Sequence, residues 1–148
     1  MNPNKAPVMH AFFAHSKAMP LAQVETLAAQ LQTVATEKLK ALHEGVVVHT
    51  GRDIYDRHQK RLGGWQSWAR WVGQGGDHFQ RFHMIVVPEM VVGRITVDII
   101  AATLQRNGQV FYWTPEDGFH IVTRVEATGD ASWQSRGRLV LLPHQRVR

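Results

Sequence analysis

Three short segments carry side chains whose types and spacing suit chemistry on a small anionic ligand. Ala14-His15-Ser16-Lys17 follows the apolar run Val8 to Ala14 and precedes a helical pattern, so Ser16 and Lys17 are placed to hold a phosphate near a helix N-terminus. Gly51 to His58 holds Arg52, Asp53, Tyr55, Asp56, Arg57 and His58, a dense group in which Arg52 or Arg57 can grip phosphate as a fork. The same group also reads as a solvated loop with local ion pairs. Pro88 to Asp98 brings Glu89, Gly93, Arg94, Thr96 and Asp98 to the start of an apolar helix. Asp98 there either faces a cleft or forms an i,i+4 ion pair with Arg94, a pair worth a few tenths of a kcal/mol.

The elements that must position these residues follow from apolar periodicity. Leu21, Val24, Leu27, Ala28, Leu31, Val34, Ala35, Leu39 and Leu42 repeat at helical spacing after Pro20, and Gly45 stops the helix. Val46-Val47-Val48 reads as a strand buried on both faces, Trp65 to Val72 as a short helix, and Phe82 to Val87 as a further buried strand. A helix from about Arg94 to Asn107, stopped by Gly108, leads to a strand at Val110 to Trp113. Phe119 to Ala127 and Arg138 to Leu142 are the last strands, one of them expected antiparallel at the sheet edge.

This alternation predicts one α/β domain over residues 1–148. Its expected core is a Rossmann-like, mostly parallel sheet of about five strands in flavodoxin-like order, flanked by helices. Residues 1–7 read as a flexible N-terminus and 144–148 as a basic tail with Arg146 and Arg148. Ligands of such sheets bind outside the carboxyl ends of the strands, which puts the three segments at one site.

Composition narrows the function classes. The chain has 148 residues, 44% hydrophobic and 20% charged, the balance of a globular domain rather than a disordered one. With no cysteine, disulfide, thiolate and sulfur-ligated zinc chemistry are excluded, and no His-x-x-x-His pair argues for a metal. No apolar run approaches the roughly 20 residues of a membrane span, so a cytoplasmic location without membrane association is expected. The formal charge of +5 suits an anionic partner, but its cations, Lys60-Arg61 apart, are dispersed, which does not favour nucleic acid. Trp65, Trp68 and Trp71 form a stripe of core, interface or base-stacking type.

Phe12-Phe13-Ala14-His15-Ser16, the helix after it, and the strand, Gly93 and acidic helix that follow resemble the nucleoside 2-deoxyribosyltransferase-like superfamily, which includes deoxynucleotide N-glycosidases. The resemblance runs from about Met9 to Trp113. It implies cofactor-free cleavage or transfer at an N-glycosidic bond, with Phe13, His15, Ser16, Lys17, Arg52, Asp53, Gly93, Arg94 and Thr96 around the nucleoside or nucleotide. The family's nucleophilic glutamate lies four residues after the glycine, where this chain has Val97. The matching region offers Asp98, one place later, with Glu89 as the second carboxylate. The resemblance also implies a homodimer or larger assembly. The readings from other classes are a non-catalytic nucleotide-binding or sensor domain, and a basic accessory protein that binds nucleic acid.

Overall fold

The computed structural model describes residues 7–63, 65–128 and 136–143, with backbone alone at 59, 60, 62, 65 and 66. Residues 1–6, the basic tail and the side chains of Lys60 and Trp65 lie outside the described residues. The elements run β1 (Met9–Phe13), α1 (Leu21–Lys38), β2 (Val46–Thr50), α2 (Gly51–Leu62), α3 (Trp65–Gly73), β3 (Met84–Val87), β4 (Val91–Val92), α4 (Arg94–Gln105), β5 (Gln109–Thr114), β6 (Gly118–Ala127) and β7 (Gly137–Leu141).

Among the described residues the sheet has seven strands, ordered β2-β1-β3-β5-β6-β7-β4, and it is mixed rather than mostly parallel. The pairs β2/β1, β1/β3 and β3/β5 are parallel, whereas β5/β6, β6/β7 and β7/β4 are antiparallel. The sheet departs from the expected five mostly parallel strands for two reasons. Val91-Val92 is too short to show a period in sequence, and both late strands, not one, fold back as an antiparallel meander. The turn between β5 and β6 is set by Asp117, whose N–H donates to Thr114 Oγ1 at 3.0 Å, and by Gly118 at φ 72°.

Chain direction explains the layers. From β1 the chain crosses to β2 on one side; from β2 it returns past β1 to β3 and then to β5 on the other. Right-handed crossovers therefore place α1 on one face and α2, α3 and α4 on the opposite face. Phe13, Val24, Leu31, Ala35, Val86 and Trp113 form the core beneath α1. Phe12, Ile54, Trp68, Trp71, Val72, Ile85, Ile99 and Ile100 form the other. Trp68 and Trp71 are 4% and 7% exposed, so these two tryptophans pack inside the chain instead of forming a surface stripe.

Two local details bear on the site. Val47 is 37% exposed, because β2 is an edge strand and not one buried on both faces. Its outward amides are covered by α1: Val46 N–H donates to Thr36 Oγ1 at 3.1 Å and Val48 N–H to Gln32 Oε1 at 3.0 Å, which blunts the edge. On the other face α3 and α4 approach closely at Gly73, where an added Cβ would stand 2.7 Å from Ala102 Cβ. The Gly73 carbonyl accepts from Arg106 Nε at 2.8 Å, closing the C-terminus of α3. The helix α4 ends with Asn107 in the left-handed region at φ 62°, one residue before the glycine expected to stop it.

Candidate functional site

A cavity of about 660 Å³ opens where the chain leaves β1 and β2 and where α4 begins. That is the crevice on either side of which the crossovers change direction, and its volume is that of a small-molecule site. Its buried wall is apolar: Phe12, Phe13, Trp68 and Ile99 are each under 5% exposed. Its exposed wall is charged, with Lys17, Arg52, Asp56 and Arg94. Three cations against one carboxylate make it a basic mouth over an aromatic and aliphatic interior.

Helix N-termini add to that field. The segment Gly51 to His58, for which a solvated loop was the alternative, is the start of α2, which begins directly at the end of β2. Thr50 acts as its cap, with Oγ1 accepting from the Asp53 N–H at 3.3 Å. At α4 the N-cap Gly93 has extended backbone and no side-chain cap, and the first intrahelical bond runs from Val97 N–H to Gly93 C=O at 2.9 Å. The amides of Arg94, Ile95 and Thr96 thus precede the hydrogen-bonded helix and favour an anion, and all three residues line the cavity.

Two hydrogen bonds shape the loop after β1. Ser16 N–H donates to Glu89 Oε1 at 2.9 Å, and His15 Nδ1 donates to the Ser16 carbonyl at 3.0 Å. A carbonyl oxygen only accepts, so Nδ1 carries the hydrogen and the lone pair of the neutral ring sits on Nε2.

Phe13, His15, Ser16, Lys17, Arg52, Gly93, Arg94 and Thr96 all line the cavity. The other candidates do not. Glu89 accepts the Ser16 N–H instead. Asp53 turns along α2 to Arg57 Nη2 at 2.8 Å. Asp98 is exposed, is not part of the cavity wall and forms no ion pair with Arg94. Position 97 faces elsewhere again: Val97 Cγ2 lies 2.7 Å from where a Cβ on Gly137 would stand, against β7. Tyr55 and Asp56 join the wall without having been singled out as ligand-binding, and Trp68, for which base stacking was one of three readings, joins it as well. The signal for Tyr55 and Asp56 was their i+3 and i+4 spacing from Arg52, which becomes meaningful once the helix starts at Gly51.

A second polar cluster lies beside the site, at the edge of the sheet. His49 is 5% exposed. Arg57 Nη2 donates to its Nδ1 at 2.8 Å, which leaves the hydrogen of neutral His49 on Nε2, 2.9 Å from His10 Nδ1. Burial, the Arg57 guanidinium and His10 together pull the His49 pKa down to about 4, against a smaller opposing effect of Asp53. Burial, followed by His83 and Arg57, also lowers that of His10. Among the described residues no three His, Asp or Glu side chains are arranged to hold a metal ion, and no helix is long and apolar enough to cross a membrane.

In comparisons with known proteins, no family model, curated protein or solved structure matches this chain.

Proposed function

We propose that the cavity binds a nucleoside phosphate or a closely similar anion bearing a flat apolar ring. One observation carries this reading: a single cavity joins a buried aromatic wall, Phe12, Phe13 and Trp68, to Lys17, Arg52, Arg94 and the amide-rich start of α4. The ring is desolvated against the first group and the phosphate is met by the second. A Rossmann-like reading of the parallel half of the sheet, β2-β1-β3-β5, agrees with it, since the cavity opens at the switch in strand order. Calorimetric titration with adenosine 5′-monophosphate, adenosine and inorganic phosphate tests it. The monophosphate should bind at least about tenfold more tightly than either fragment. Equal or absent binding of all three overturns the reading.

A second reading, cleavage or transfer at the N-glycosidic bond without a cofactor, is favoured by Asp56, a carboxylate in the same cavity wall. Such a group can stabilise, or add to, an oxocarbenium-like C1′ while water or a second base completes the reaction. Release of free base from a panel of deoxynucleoside monophosphates, lost in Asp56→Asn, distinguishes it from binding alone.

A further inference from the structure

We infer that His15 takes up a proton at Nε2 when the anion binds, so that ligand binding and protonation of this ring are coupled. The inference rests on the nucleoside-phosphate reading above. Nδ1 is committed to the Ser16 carbonyl at 3.0 Å, and the ring lies against Phe13 with centroids 6.0 Å apart. Tautomer and orientation are therefore both set, the arrangement by which proteins fix which imidazole nitrogen does chemistry. His15 is part of the cavity wall, and among the described residues nothing hydrogen-bonds its Nε2. The charged and titratable groups sharing the cavity are Lys17 on the same loop, Arg52, Tyr55 and Asp56 of α2, and Arg94 of α4. Glu89, from the segment after β3, accepts the Ser16 N–H of the same loop. A phosphate drawn in by the three cations brings acceptor oxygens beside Nε2, and a proton there turns that contact into a charge-assisted bond. The proton comes from solvent and the phosphate binds as the dianion, and no covalent bond between heavy atoms changes.

The test is calorimetric titration of adenosine 5′-monophosphate into wild type, His15→Asn and His15→Gln at about pH 6 and about pH 8, on either side of the ordinary histidine range. Asparagine reproduces the Nδ1 donor to Ser16, whereas glutamine puts a polar atom near Nε2; neither titrates. Titration of the ligand itself is common to all three proteins and cancels. On going to the lower pH, wild type should gain about tenfold in affinity relative to either variant, the worth of one proton shifted by one pH unit. A His15→Asn protein with the pH dependence of wild type overturns the inference and leaves the binding reading standing; no binding by wild type at either pH overturns both. Nitrogen NMR on wild type alone gives a second decision. Adding the nucleotide near pH 7 should move the His15 Nε2 resonance toward the protonated position, and an unmoved resonance overturns the coupling.

Discussion

Ser16 and Glu89 are 73 positions apart in sequence, yet the Ser16 main-chain N–H donates to Glu89 Oε1 at 2.9 Å. The bond straddles the switch in strand order and ties the loop after β1 to the segment after β3. It makes Glu89 a positioning residue for Ser16 rather than a group on the cavity wall. Glu89→Ala should cost about 1.5–3 kcal/mol in urea unfolding, the scale of a lost bond to a charged acceptor, and should weaken nucleotide binding as the loop loosens. Glu89→Gln keeps an acceptor and should restore most of both. Equal loss in the two variants would mean that the charge of Glu89, not its bond to Ser16, is what counts.

Arg94 is exposed at the start of α4 and, among the described residues, carries no ion pair. Its removal takes away a cation without orphaning a partner. Arg94→Gln is expected to change stability by under about 0.5 kcal/mol and to reduce nucleoside monophosphate affinity about tenfold at low salt, the gap narrowing as salt screens the mouth. An affinity unchanged at low salt would take Arg94 out of the site.

Of the three aspartates on the site-bearing helices, Asp56 and Asp98 separate cleanly. Asp98 is exposed off the cavity wall and Asp56 is part of it. Asp98→Asn should leave stability within about 0.5 kcal/mol and leave nucleotide binding and any base release as in wild type. If the chain is a glycosidase, Asp56→Asn should lower base release by orders of magnitude with little change in affinity, because the lost interaction belongs to the transition state. The opposite pattern would return the chemistry to Asp98.

His49 makes stability depend on acid. Its folded pKa of about 4 lies below the ordinary value of 6.5, so between these values the unfolded chain takes up a proton that the folded chain refuses. Its neutral state imposes no penalty above about pH 6.5. As pH falls from there toward 4, stability should drop with a limiting slope of about 1.4 kcal/mol per pH unit from this group. Below the folded pKa that loss levels off. Urea unfolding across this range should show a shallower slope in His49→Gln, and an identical slope in the variant would assign the acid sensitivity to other groups.

Gly73 fixes how near α3 comes to α4, the helix that presents Gly93 to Thr96 to the cavity. Gly73→Ala would press a methyl against Ala102 Cβ, 2.7 Å from its ideal position. Overpacking at this contact should cost about 1–3 kcal/mol, and the shift of α4 should reach ligand affinity as well. A variant as stable as wild type would show that the two helices have room to part.

Much of the architecture was legible locally. The period of α1, the β-branched Val46 to Val48 and the apolar helix after Gly93 each announce their element, because helix and strand patterns are written in neighbouring residues. From them followed the α/β class and the convergence of His15 to Lys17, Arg52 and Gly93 to Thr96. What tertiary structure decided depends on direction and on contact. Whether β6 and β7 run parallel or antiparallel is set by how a chain segment folds back, and the two-residue β4 exists only because β7 pairs with it. The start of α2 at Gly51 turned Tyr55 and Asp56 into wall residues, and a rotation of about 100° per residue around α4 separates Thr96 in the cavity from Val97 against β7. Residue types and the resemblance put Asp98 ahead of Glu89; only the folded chain bonds Glu89 to Ser16 and leaves Asp98 in solvent. The same holds for the contact between His10 and His49, 39 residues apart, whose burial and donor order no local pattern encodes.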